Sequence, residues 1–218
     1  MDNNIVLIIF QLVVLLCSVM IHEVSHGLMA LRLGDETAKK LGRLTLNPLK
    51  HLDPVGSIFL PLLLFITKSP VILGWAKPVP YDPNALHKDY KYGPLKVALA
   101  GPLSNLAIAF TFGLIVRFGV SLLDTTTLAF LSFIVFLNCL LAVFNLVPLP
   151  PLDGSKILTA MLPYRYALMV ERIGFQGVIL VLAILFFVPG VIWIPAAALF
   201  QLFAGTSGAS SFLTVFGQ

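Results

Sequence analysis

The chain has 218 residues, of which 58% are hydrophobic and only 11% charged, with a formal net charge of +4. A soluble domain carries about 25% charged residues. This composition, with a mean hydropathy of +0.97, therefore excludes a water-soluble globular protein and reads as an integral membrane protein. The length fits four or five spans with short loops and leaves no room for a sizeable domain outside the bilayer. The positive charge does not imply a nucleic-acid partner, because its distribution follows membrane orientation, as set out below.

The first apolar run predicts a span over about 4–28. It does not read as a signal peptide: Met1-Asp2-Asn3-Asn4 holds no basic residue, the run is too long, and no small-residue cleavage site follows. Near its far end stand His22-Glu23-Val24-Ser25-His26. Two histidines four apart stack on one helix face, so both imidazoles reach one metal ion, and the intervening glutamate addresses a water beside it. Ionisable groups inside a membrane cost about 2.5–3.5 kcal/mol each on insertion scales and mark function by default. The competing reading is helix–helix hydrogen bonding without a metal.

A polar, basic stretch follows over 32–53. The apolar segment 55–76 is broken by Gly56, Pro61, Pro70 and Gly74, and the turn-forming stretch Lys77-Pro78-Val79-Pro80-Tyr81-Asp82-Pro83-Asn84 comes after it. Clean spans are expected at about 95–118 and 127–148, the second stopped by Pro148, Pro150 and Pro151. A basic loop is expected over 155–172, then an apolar stretch over 177–204 interrupted by Pro189-Gly190 and Pro195. Of the 14 basic residues, ten lie between residues 32 and 96, and Lys156, Arg165 and Arg172 follow the span at 127–148. Arg117 alone sits on the loop between the two clean spans. Thirteen then share one side if 55–76 does not fully cross. The charge rule makes that side cytoplasmic, with the N-terminus outside. The four internal breakers agree, since irregular backbone at membrane depth requires protein or a water-filled cavity around it.

Catalytic zinc takes three protein ligands and a water. The candidates for the third ligand are His51, Asp53, His87, Asp153 and Glu171. Asp153 lies just past the end of a span running in the same direction as the first, so it can share a depth with His22 and His26. Its neighbours Asn145-Leu146-Val147-Pro148-Leu149-Pro150-Pro151-Leu152 hold the chain extended, and Gly154 permits a sharp turn. Asp153 reads equally as the N-cap of a following helix. His51 and Asp53 read as a loop turn or as groups near the cleft. His87 reads as a surface residue, Glu171 with Arg172 as an interfacial ion pair, and Trp75 and Trp193 as interfacial anchors. Cys17 and Cys139 fall in apolar spans and read as small buried hydrophobes.

The motif at 22–26, Gly101-Pro102-Leu103-Ser104-Asn105, and the run Asn145 to Gly154 occur in an order that resembles the site-2 protease family of intramembrane zinc metalloproteases. Trp75-Ala76-Lys77-Pro78-Val79-Pro80 resembles the segment after that family's re-entrant β-loop. No PDZ-like insertion or CBS pair is seen, so the compact bacterial or archaeal type is nearest. The resemblance implies an all-α integral membrane protein of four to five transmembrane helices, with a re-entrant, partly β-like loop after the first. It implies one membrane-embedded domain over 1–218, with a core of about 4–155 and C-terminal helices over about 156–205. It implies one zinc ion per chain on His22, His26 and Asp153, Glu23 as general base, and Asn105 and Asn145 as groups near the cleft that engage the substrate backbone or the reacting carbonyl; beside that, Asn105 reads as a helix–helix hydrogen-bonding group and Asn145 as a polar cap at a helix C-terminus. The partners implied are a membrane-protein substrate and the lipid bilayer, in a multi-pass protein of the cell membrane. Three alternatives stand beside this reading. One is a silent metal- or substrate-binding protein on the same fold, against which the intact Glu23 argues. Another is a metal or ion transporter, for which no paired repeat is seen. The third is a different membrane metalloprotease with Glu171 as ligand.

Overall fold

The computed structural model describes residues 2–59, 66, 77–174 and 176–216. Among these residues all regular structure is helical. Most of the interrupted segment 55–76, and Trp75 with it, lies outside them. What is described there is one short wide helical turn, Pro54–Phe59, whose start is tied by the Gly56 N–H donating to Asp53 Oδ1 at 2.7 Å.

Helix α1 (Asp2–Leu33) continues past the expected end near residue 28. Its last turns are held by protein rather than lipid: Ala30 and Leu33 pack with buried Leu86 and Val97. It stops where Gly34 takes a positive φ of 115°, with the Gly34 N–H donating to Leu31 O and the Asp35 N–H to Ala30 O. The short helix α2 (Thr37–Lys40) and a 3-10 turn at Pro48–Lys50 occupy the basic stretch. Helix α3 (Gly93–Gly119) and helix α4 (Thr125–Asn145) form the two clean spans within a few residues of their expected bounds.

The expected basic loop over 155–172 is instead two helices, α5 (Asp153–Met161) and α6 (Tyr164–Ile173). Pro163 does not open a loop there; it occupies the N-cap of α6, where its fixed φ and missing N–H cost nothing. No ion pair joins Glu171 to Arg172 among the described residues. Helix α7 (Gln176–Phe187) and helix α8 (Gly190–Phe216) follow. Pro195 is accommodated inside α8, and the break falls later, at Gly205 with φ 73°.

Helices α1, α3 and α4 are long and apolar enough to cross a membrane, and up to five crossings result if each bent pair in the C-terminal third counts as one. Helices α3, α4 and α8 close around Ala109, Val116, Leu128, Val135, Cys139, Phe200 and Ala204. The first half of α1 stands apart from this core. Its residues Ile5, Val6, Ile8, Ile9 and Leu12 are exposed, as lipid-facing side chains are, and Phe10 reaches α4 through Phe130 at 4.5 Å. Cys17 is on that exposed face, not buried as expected, whereas Cys139 is buried; both thiols are free. Trp193 stacks on Phe136 of α4 at 5.5 Å rather than standing alone as an anchor.

Candidate metal centre

His22 lies roughly 25 Å along α1 from Ile5, at 1.5 Å per residue, well toward the helix's far end. Four-residue spacing puts His22 and His26 on the face of α1 that meets α3, and both are buried. Their outer nitrogens are fixed from behind. His22 Nδ1–H donates to Asn105 Oδ1 at 2.6 Å, and His26 Nδ1–H donates to the Val97 carbonyl at 2.6 Å. Pro102 has no N–H for the Ala98 carbonyl, the neighbour of Val97 in the same turn of α3. With each Nδ1 protonated, each Nε2 carries a lone pair. These two atoms are 3.1 Å apart, and Asp153 Oδ2 lies 3.0 Å from one and 2.9 Å from the other.

Asp153 arrives from the opposite side of the bundle. It is the first residue of α5, and Leu152 rather than Asp153 is that helix's N-cap. The capping alternative therefore does not hold, and the carboxylate is left for the histidines. Lys156 Nζ sits 3.1 Å from Asp153 Oδ1. Gly154 is required by close approach rather than by a turn: a Cβ there would collide with the carbonyls of Leu146 and Val147. Gly101 is required for the same reason on α3. A Cβ on it would lie 2.6 Å from His22 Cε1 and Nε2 and closer still to His26 Nε2.

Glu23, half-buried, points from α1 across the cavity mouth, and its Oε2 accepts the Val79 N–H at 2.9 Å. The strip around Val79 is itself held: Arg43 Nη2 donates to Lys77 O at 2.7 Å and to Pro78 O at 3.3 Å, and the Lys77 N–H donates to His51 O at 2.8 Å. Together these elements enclose a cavity of about 120 Å³ bordered by His22, Glu23, His26, Val79, Asn145 and Asp153, among others.

The sequence-expected residues divide accordingly. His22, His26 and Asp153 form a group that could hold a metal ion, and the other candidate ligands do not join it. His51 is buried with its Nε2–H donating to Thr45 O at 2.7 Å; His87 is exposed; Glu171 lies on an exposed turn of α6. Asn145 borders the cavity and spends its amide N–H on Leu141 O at 2.9 Å. Asn105 does not face the cavity as a substrate contact would. It is fully buried behind His22, because its position on α3 aims it at α1 and α4. Three contributors were not singled out from the sequence: Ser18, Val79 and Asn138. Asn138 had a signal, being a lone amide in the apolar run of α4; Val79 had none, since it acts through its backbone.

The donor set fits zinc. Two imidazole nitrogens and one carboxylate oxygen converge, and with each Nδ1 protonated a bound cation relieves the three lone pairs brought together at that range. Tetrahedral zinc with bonds of about 2.0–2.1 Å places its ligand atoms roughly 3.3 Å apart, close to the separations here. A buried two-histidine, one-carboxylate group on membrane-length helices, with a glutamate at its rim, defines a membrane zinc metallopeptidase.

The comparisons agree. The family model described as "Peptidase family M50" matches residues 120–189. "Putative zinc metalloprotease YwhC" of Bacillus subtilis (strain 168) is 42% identical over 161 residues, covering 71% of this chain and 69% of that protein. "Putative zinc metalloprotease Rip2" of Mycolicibacterium smegmatis is 33% identical over 147 residues, 64% of this chain and 52% of that protein. Rip2 of Mycobacterium tuberculosis (strain ATCC 25618 / H37Rv) is 32% identical over 145 residues, covering 66% of this chain and 53% of that protein. The chain thus spans about half the length of the Rip2 proteins. No solved structure matches. The chain belongs to peptidase family M50, the site-2 proteases.

Proposed function

We propose that this protein is an intramembrane endopeptidase that hydrolyses peptide bonds within or near transmembrane segments of membrane-protein substrates. The observation that carries the proposal is the convergence of His22, His26 and Asp153 beside Glu23 in one cavity at the end of a membrane-length helix. His22 Nε2, His26 Nε2 and one oxygen of Asp153 would hold the ion. When bound, zinc supplies a Lewis acid and makes a water molecule acidic near neutral pH.

The chain's own residues do the rest. Glu23 is the general base. Val79 fixes its Oε2, which leaves the other carboxylate oxygen to take a proton from the attacking water. The same oxygen then delivers that proton to the amine nitrogen as the carbon–nitrogen bond breaks. Lys156 and the buried backs of the histidines keep the ligands in place. Asn145, at the cavity edge, meets the substrate; Asn105 serves from behind by orienting His22. A helical substrate shields its carbonyls, so it must present an extended segment. The non-helical strips over 77–82 and 146–152 flank the cavity and suit pairing with such a strand. The unit is one domain over 1–218. The basic residues favour an N-terminus outside, with the site toward the cytoplasmic side.

The test uses purified protein, single-span peptides and the Glu23→Gln variant. Wild type should cleave within the apolar segment, lose activity to a chelator and regain it with zinc. Glu23→Gln should keep zinc and substrate while cleavage falls about 10²–10⁴-fold. Wild-type cleavage by Glu23→Gln would end this mechanism.

A further inference from the structure

Behind His22 a chain of hydrogen bonds crosses from α1 through α3 to α4. His22 Nδ1–H donates to Asn105 Oδ1 at 2.6 Å. Asn105 Nδ2 donates to Asn138 Oδ1 at 2.9 Å. Asn138 Nδ2 donates to the Ile134 carbonyl at 2.9 Å and to Ser18 Oγ at 3.0 Å. Asn105 and Asn138 are fully buried and Ser18 nearly so.

The chain has a direction, and its direction is set at the far end. A backbone carbonyl only accepts, so Ile134 O compels Asn138 to turn its NH₂ toward it and its carbonyl toward Asn105. Asn105 must then give its own NH₂ to Asn138 and present its carbonyl to His22. That carbonyl demands the proton on Nδ1. A flipped Asn105 would present NH₂ to Nδ1 instead, drive the proton to Nε2 and remove the lone pair that faces the site. The weak contact of Asn105 Nδ2 with Ser18 O, at 3.5 Å, lies at the limit of a hydrogen bond and fixes little.

We infer that Asn138 is a positioning residue of the zinc site, which acts through Asn105 to hold His22 in its metal-binding tautomer. This rests on His22 being a ligand, as proposed above. Groups behind a metal-bound histidine typically carry 10–100-fold in metal affinity. Asn138 stands one step further out, so the lower end of that range applies.

The experiment is zinc affinity by chelator competition on the full chain in detergent, with the melting temperature of the zinc-free protein measured alongside. Asn138→Leu and Asn138→Ala remove the acceptor and should weaken zinc binding about tenfold. Asn138→Asp keeps an oxygen facing Asn105 and should bind near the wild-type level. Ser18→Ala should change little, since Ile134 O still orients the amide. His22→Ala serves as control and should abolish tight binding. If the leucine variant does not fold, the alanine and aspartate pair decides. Equal zinc affinity in Asn138→Ala and Asn138→Asp overturns the inference, as does a loss of affinity that merely tracks the melting temperature. Tight binding by His22→Ala would overturn the ligand assignment itself, a distinguishable result.

Discussion

On its side toward α8, helix α4 is sealed by Val135 and Cys139 against Phe200 and Ala204. On its side toward α1, the same helix is sealed by Asn138 against Asn105 and Ser18. Water drives neither closure, because lipid is as apolar as the side chains it would replace, and membrane helices associate through close packing or hydrogen bonds. The apolar seam uses shape, extended by a run of phenylalanines from Phe200 through Phe212 to Phe216 and Phe133. The polar seam uses direction, which shape cannot supply. The seam that needs chemical orientation is the one that ends at His22.

Breaking each seam by the same small change should separate the two kinds of effect. Gly101→Ala puts a methyl group against both histidines. A misplacement of about 1 Å can cost 10²-fold in rate, so cleavage should fall by about that factor, with zinc affinity falling too. Gly113→Ala makes the matching intrusion on the apolar seam, where its Cβ would stand 2.6 Å from Phe203 Cβ. Overpacking costs roughly 1–3 kcal/mol. Its melting temperature should drop while zinc affinity in the folded protein stays as in wild type. Equal losses of zinc affinity in the two variants would erase the distinction between the seams.

The smallest effect belongs to the N-terminal end of α4, which touches neither seam. Asp124 caps that helix, accepting from the N–H groups of Thr126 and Thr127 at 3.0 Å and from the Thr127 hydroxyl at 2.6 Å. The Thr127 hydroxyl, then the Thr127 N–H, hold the carboxyl below its ordinary range. A lowered folded pKa means the cap contributes fully above the unfolded value of about 3.9 and is lost as pH falls through the folded value. The melting temperatures of wild type and Asp124→Ala should therefore differ by a small, constant amount from about pH 7 to 5, and the gap should narrow below about pH 4 as the charge's share is lost. Asp124→Asn, which caps without a charge, should show no such narrowing.

The order of helices and the metal group were legible because both are local or periodic. An apolar run marks a span, and four-residue spacing pairs His22 with His26 whatever surrounds them. Asp153 was legible as a candidate only with topology added, since an aspartate after prolines serves as a cap just as well; in the structure Leu152 occupies the cap position. For Asn105 the sequence leaves a cleft group and a helix–helix hydrogen-bonding group both open, because residue type gives hydrogen-bonding capacity, while depth and facing come from packing. Helix α6 was hidden because Pro163, Arg165 and Arg172 resemble loop residues, although α6 is strongly amphipathic. The segment over 60–76 stays an expectation of the sequence.

Residue 79 meets the Glu23 carboxylate through its main chain alone, and Val79 carries the one N–H in Pro78-Val79-Pro80. Alanine scanning across this tripeptide would leave the donor in place at position 79 and would add donors at 78 and 80. Such a survey would score the strip as tolerant while passing over its link to the carboxylate. Replacing the amide itself, by proline at 79 or by an ester bond between residues 78 and 79, would expose it.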